Sequence, residues 1–149
     1  MTMPPRFAMP LRVRYVECDM QGKVFNGHYL TWVDMAHIEM MREVVGDDSA
    51  LTAAGIDFVV AAADLRFRRP ALYDDQLVIQ VSIGPPGTTS LRSEYAIMRG
   101  AELIAECTMT HVCVDATTFT KSPWPEWIRA RLVGWIDASG PTAIGGSSR

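Results

Sequence analysis

Tyr15-Val-Glu-Cys-Asp-Met-Gln-Gly-Lys-Val-Phe-Asn-Gly-His-Tyr29, running on into Leu30 to Val45, decides how this chain is read. On the way in, Leu11, Val13 and Tyr15 alternate with Arg12, Arg14 and Val16, the period of a strand. A short loop follows with an acid, Asp19, and a glycine, Gly22. After Asn26-Gly27 the apolar positions Leu30, Val33, Ala36 or His37, Met40, Met41 and Val44 recur at helical spacing, with Gly46 placed to end the helix at C′. The breadth of that apolar cover predicts a buried helix. Strand, acidic loop and helix start thus bring a carboxylate close to main-chain N–H groups that have no partner within the helix. Such groups carry partial positive charge and suit a carbonyl oxygen that becomes negative during reaction. The chemistry requires the acid to face a cleft beside those amides.

Outward from this stretch the chain alternates breakers and strands. Met1 to Pro10, with three prolines, is expected to be an irregular lead-in to a first strand over Leu11 to Glu17. Asp47 to Gly55 reads as a connector with one helical turn, and Phe58 to Arg69 as a long strand closed by Pro70. Leu77, Ile79, Val81 and Ile83 alternate, then Leu91, Ser93, Tyr95 and Ile97, with Gly84-Pro-Pro-Gly87 between them. Arg99-Gly100-Ala101 is a hairpin signal leading into a last strand over Leu103 to Val114. Trp124 to Trp135 reads as a short amphipathic helix with Pro125 and Glu126 in its first turn. Ala138 to Arg149, rich in Ser, Gly and Pro, is expected to be a mobile tail behind one domain over 1–137. One strand, a long helix and four more strands make an α+β chain: an antiparallel sheet with helices on one side.

Composition sets the outer limits. At 149 residues, 48% hydrophobic and 21% charged, the chain can bury a core without disulfides. A net charge of −3 argues against a nucleic-acid surface, and no apolar run reaches the roughly 20 residues of a membrane helix. The start of the chain lacks the apolar segment of a secretory signal. Cys18, Cys107 and Cys113 have neither metal nor redox spacing and read as reduced thiols, so a cytoplasmic protein is expected.

The central stretch also carries a family resemblance. Asp19-x-x-Gly22-x-Val24-x-Asn26-x-x-Tyr29 followed by Trp32-Val33-Asp34 resembles the signature of 4-hydroxybenzoyl-CoA thioesterase-like hotdog proteins. The likeness continues in order through Arg66-Phe-Arg-Arg-Pro-Ala71, Tyr73-Asp74-Asp75, Ser90-Leu91-Arg92, Ala105-Glu106 and His111-Val-Cys-Val-Asp115. It implies a hotdog fold, a curved antiparallel sheet wrapped around a long central helix. It implies an acyl-CoA thioesterase that hydrolyses an acyl- or aroyl-CoA thioester without metal or redox cofactor. Asp19 would act as nucleophile or general base and the backbone at Asn26 as oxyanion donor, with Gly22, His28 and Tyr29 on the substrate side. Hotdog domains generally pair with the site between subunits, so a homodimer or homotetramer is implied, with acyl-CoA or an acyl-carrier-protein thioester as the substrate partner.

Each residue also has a plainer reading. Asp19 could be a turn aspartate and the Asn26 side chain a simple helix cap. Gly22 suits a positive φ. Tyr29 reads more readily as packing than as chemistry, and Glu17 as a solvent-facing residue at a strand end. His28 stands where the family often has Asn. His28, His37 and His111 are too dispersed for a zinc-type motif. Trp32, Met35, Met40 and Met41 would serve an acyl pocket, but at helical spacing core packing is the stronger reading. The carboxylate next to Cys18 disfavours a thiolate there. For the coenzyme's phosphates, some relatives use a basic cluster before the fourth strand; here Gly84 to Ser90 carries no cation, leaving Arg66, Arg68, Arg69, Arg92 and Arg99. Two rivals stand against the hydrolase: a hotdog acyl-thioester dehydratase, which would want a histidine–acid pair, and a non-enzymatic acyl-thioester binding protein.

Overall fold

A computed structural model describes residues 7–138. Five strands, β1 (Phe7–Arg12), β2 (Ile56–Phe67), β3 (Gln76–Ile83), β4 (Ser90–Arg99) and β5 (Glu102–Asp115), form one sheet in the order β1-β3-β4-β5-β2, all neighbours antiparallel. Three α-helices, α1 (Gly27–Val44), α2 (Asp48–Ala53) and α3 (Glu126–Asp137), are found among the described residues. The alternation read from the sequence sets the inward face. Leu77, Ile79 and Val81 of β3, Leu91, Tyr95 and Ile97 of β4, and Cys107, Met109 and His111 of β5 are all buried. Against them α1 lays Trp32, Val33, Ala36, His37 and Met40, each fully buried. A long helix buried along one face of a five-stranded antiparallel sheet is the hotdog arrangement. Gly46, at φ +116°, follows Val45 and lets the chain turn out of α1, its N–H bonding the Arg42 carbonyl.

The entry to the fold differs from the sequence reading. The first strand runs over Phe7–Arg12 rather than Leu11 to Glu17, so part of the expected irregular lead-in is sheet. Pro10 fits because β1 is an edge strand paired only with β3, where a missing N–H is tolerated. Residues Tyr15–Glu17 form a 3-10 turn, because the Glu17 carboxylate bends back to accept from the Arg14 main-chain N–H at 2.8 Å. Met1 to Arg6, the remainder of that lead-in, and the tail beyond Ala138 lie outside the described residues.

α3 docks on the Gly84–Gly87 connection between β3 and β4. Ile128 and Leu132 are fully buried, Trp124 donates its indole N–H to the Ser90 carbonyl at 3.1 Å, and Arg129 bonds the carbonyls of Pro86 and Gly87. The cation absent from the connection itself is thus supplied by α3, spent on main-chain oxygens.

Candidate active site

The hairpin before α1 is built by its own polar groups. Cys18 and Val24 form an isolated antiparallel bridge, and the Asp19 N–H donates to the Lys23 carbonyl at 2.8 Å. Between them the Gly22 N–H bonds the Asp19 carbonyl at 3.0 Å, with Gly22 at φ +77°. A side chain at Gly22 would meet nothing within 4 Å, so this glycine is required by backbone conformation and not by space. The Asp19 carboxylate accepts from the Gln21 N–H at 2.8 Å and the Lys23 N–H at 3.3 Å, both through Oδ1. Its Oδ2 has no hydrogen-bond partner among the described residues.

The same hairpin hands the chain to α1. The Phe25 N–H donates to the Glu17 carbonyl at 3.0 Å, and the helix starts two residues later. Asn26 sits at its N-cap with helical φ and ψ and makes no side-chain cap. Its main-chain N–H has no acceptor among the described residues, as befits the first amides of a helix. His28 is half-buried, its ring 6.0 Å from that of Phe25. Tyr29 is buried; its hydroxyl accepts from the Ala71 N–H at 2.9 Å and its ring meets Phe67 edge-on at 5.1 Å.

Glu17 corrects the sequence reading. It is buried, 2% exposed, and joins the turn to the helix by accepting from the Trp32 indole N–H at 2.8 Å and the Arg14 guanidinium at 3.0 Å. Burial alone would push its pKa up; the hydrogen bonds from Arg14 and Trp32 outweigh that and hold the carboxyl below its ordinary value. The sequence held a signal for this, since a buried tryptophan needs an acceptor for its N–H. Glu17 therefore positions the hairpin and is unavailable for a carboxylate pair with Asp19.

Asp19 itself is exposed, and exposed Tyr15, Val16, Met20, Phe25 and Tyr73 surround this part of the chain. It lines neither of two sizeable cavities. One, about 390 Å³, is bordered by Asp64, Arg66, Arg92, Glu94 and Glu106. The other, about 570 Å³, lies between the second half of α1, α2 and the first half of β2, and reaches His111. Of the Met and Trp positions on α1, Met41 lines this larger cavity, Trp32 and Met40 are core, and Met35 is exposed. The strand arginines proposed for phosphates are largely engaged: Arg66 with Asp64, Arg68 with Glu106, Arg69 with Glu102, and Arg99 with Asp75 and Glu102. Among the described residues no helix is long and apolar enough to cross a membrane.

Comparison with known proteins agrees with this architecture. The Thioesterase-like superfamily matches residues 13–132. The chain is 32% identical over 127 residues to the acyl-CoA thioester hydrolase YbgC of Escherichia coli O6:H1, covering 85% of this chain and 95% of that one. Among solved structures it is similar to a gentisyl-coenzyme A thioesterase (TM-score 0.75, 26% identity, 83% of this chain and 98% of that chain). It shares its fold with a DHNA-CoA thioesterase from Staphylococcus aureus (TM-score 0.79, 17% identity, 92% and 97% covered). The hairpin, the helix it feeds and the sheet around that helix are those of a hotdog protein, and the chain belongs to the thioesterase-like superfamily.

Proposed function

We propose that this chain is a cytoplasmic acyl-CoA thioesterase of one domain that adds water to an acyl-CoA thioester and releases the free acid and coenzyme A. The observation that carries the reading is the Asp19 hairpin. One carboxylate oxygen is pinned by two loop amides, the other has no partner among the described residues, and, seven residues on, α1 is capped by Asn26, whose N–H is likewise unpaired there. The free oxygen either attacks the thioester carbonyl, giving a mixed anhydride that water opens, or takes a proton from the attacking water. The Asn26 N–H, at the positive end of α1, donates to the oxyanion. Gly22 holds the loop, His28 borders the substrate, and Tyr29 contributes by fixing the helix start against Ala71.

An exposed acid in a single chain calls for a second copy. β2 pairs with β5 along one edge only, and its other edge presents Val59 and Val60, 37% and 48% exposed, and Ala61 to Ala63. A long, apolar, unpaired edge is a template for another strand. Within one chain the start of α1 touches the far end of β2 through Tyr29 and Phe67, and the 570 Å³ cavity touches the near end through Ile56, Phe58 and Val60. Antiparallel β2–β2 pairing about a two-fold axis would set those ends side by side. The Asp19 hairpin of one copy would then approach the cavity of the other, giving the acid its cleft.

The deciding experiment is thiol release across aliphatic, branched and aromatic acyl-CoA substrates, with Asp19→Asn alongside. The variant is expected to bind substrate and to lose about a thousandfold in kcat, in the range of a lost nucleophile or general base. Near-normal turnover by Asp19→Asn would sink the assignment. Light scattering across a dilution series tests the second copy, with a dimer expected and Val60→Lys expected to weaken it.

A further inference from the structure

The Asp19 hairpin rests on the connection between β2 and β3. Val24 donates its N–H to the Ala71 carbonyl at 2.9 Å, and Lys23 forms an isolated antiparallel bridge with Leu72. Ala71 in turn donates its N–H to the Tyr29 hydroxyl at 2.9 Å, and Tyr73 meets Tyr15 edge-on, ring centroids 5.9 Å apart. The hairpin and the first turn of α1 therefore both take their place from this connection. It turns at Asp74, φ +68°, a left-handed conformation that costs a non-glycine residue energy. A side-chain junction holds the turn. Asp75 Oδ2 accepts from the Leu72 N–H at 2.8 Å and from Arg99 Nη1 at 2.6 Å. The same Nη1 reaches the Pro70 carbonyl at 3.2 Å, so one guanidinium spans both ends of the turn. Arg99 Nε and Nη2 donate to Glu102 Oε1 at 3.1 and 2.8 Å across the β4–β5 hairpin, which fixes the plane of the fork. The side chains of Arg99 and Asp75 are 27% and 19% exposed, whereas the ion pairs of Arg12, Arg66, Arg68 and Arg69 lie open to water.

We propose that Arg99, acting through Asp75 and the 70–75 turn, is a positioning residue for the reaction. The turn is tied to the hairpin through Lys23 and Val24 and to the helix start through Tyr29, so its angle to the sheet sets the spacing of the Asp19 carboxylate from the Asn26 N–H. Without the guanidinium, Asp75 still accepts from the Leu72 N–H and the turn survives, but nothing on β4 fixes its angle. A displacement of about 1 Å at a reacting group costs up to about a hundredfold in rate, and such a loss falls on kcat more than on substrate binding. That the reaction is thioester hydrolysis rests on the hydrolase reading above; that Arg99 steadies the hairpin rests on the hydrogen bonds alone.

The test compares wild type, Arg99→Met, Arg99→Lys and Asp75→Asn in thiol release and in amide hydrogen exchange. Arg99→Met should lower kcat about thirtyfold and move KM by no more than about twofold. Arg99→Lys should recover part of the rate, since an ammonium restores the charge but not the fork. Guanidinium ion added at millimolar concentration should restore part of the rate to Arg99→Met and none to Arg99→Lys. In the Asp19→Asn background, Arg99→Met should cost no more than about threefold further, because a group already removed cannot be misplaced. Exchange at the Asp19, Gly22 and Val24 amides should quicken about tenfold in Arg99→Met while the buried amides of β4 keep their wild-type rates. Asp75→Asn keeps an acceptor for both donors and loses only the charge; it should cost about fivefold in kcat and carries the same double-variant comparison if Arg99→Met fails to fold. Full kcat in folded Arg99→Met, an equal loss in the Asp19→Asn background, or unchanged hairpin exchange would each overturn the proposal. Quickened hairpin exchange in a protein that releases thiol from no substrate would fell the hydrolase reading and leave Arg99 as the residue that steadies the hairpin.

Discussion

The two ends of α1 solve opposite problems. At its start, Glu17, Tyr29 and the Asp19 Oδ1 all have partners, and the polar groups left over among the described residues include the exposed Asp19 Oδ2 and the Asn26 N–H. In its second half the helix presents His37 to a buried ring stack in which three imidazole nitrogens have no hydrogen-bond partner among the described residues. The first end is a frame around the groups proposed to react, which are exposed. The second is a buried aromatic stack closed between α1 and β5. Exposed polar groups and buried imidazoles are thereby separated along one helix, and substitutions at the two ends should fail in different ways.

The sharpest contrast is at the frame itself. Asp19→Asn should cost about a thousandfold in kcat with a melting temperature close to wild type, since Asn still accepts through its side-chain oxygen. Glu17→Ala, two residues away, should cost about 3 kcal/mol in urea unfolding, because it leaves the Trp32 N–H buried without an acceptor and removes a charged anchor. If Glu17→Ala instead kept full stability and lost only turnover, the division between frame and reactive group would be wrong.

Acid should distinguish the ends next. The pKa of each buried histidine is lower folded than unfolded, so below the unfolded value of 6.5 the unfolded chain binds protons that the native one refuses. Stability contributed by the uncharged rings is present above pH 6.5 and falls as pH drops toward about 4, by up to roughly 1.4 kcal/mol per pH unit for each histidine. His111→Phe should flatten that slope in unfolding titrations. The carboxyl of Glu17 is lower folded than unfolded, so its contribution is kept above its ordinary value of 4.5 and lost only at more acid pH. A stability curve flat from pH 6.5 to 5 would contradict the histidine account.

The smallest effect belongs to Tyr29→Phe, which strips the acceptor from a buried Ala71 N–H and should cost about 1–2 kcal/mol in unfolding. Its effect on kcat should be slight. A large kcat loss at unchanged stability would move Tyr29 from framing into the chemistry.

Much of the sheet was legible because alternation reports burial directly; Leu77 to Val81 and Leu91 to Ile97 needed nothing beyond period two. The hairpin and helix start were legible for a similar reason, as Asp19, Gly22 and Asn26 act within a few residues of one another. β1 was misplaced because Pro10 reads as a breaker until the strand is known to lie at an edge. Glu17 was misread because its partner, Trp32, lies fifteen residues on and a turn of helix away. The histidine stack joins residues 37 and 111, on elements that meet only through the sheet, and nothing in either local sequence marks it.

α3 has a consequence for how the protein is made. Trp124, Ile128 and Leu132 are buried with the core, and Arg129 ties that helix to a connection more than forty residues earlier. A nascent chain halted before residue 124 would hold every described strand and still lack three buried side chains of the core, so the ribosome must release nearly the whole described polypeptide before the core can seal. Premature stops in that last stretch should yield material for proteases, and not a shortened enzyme.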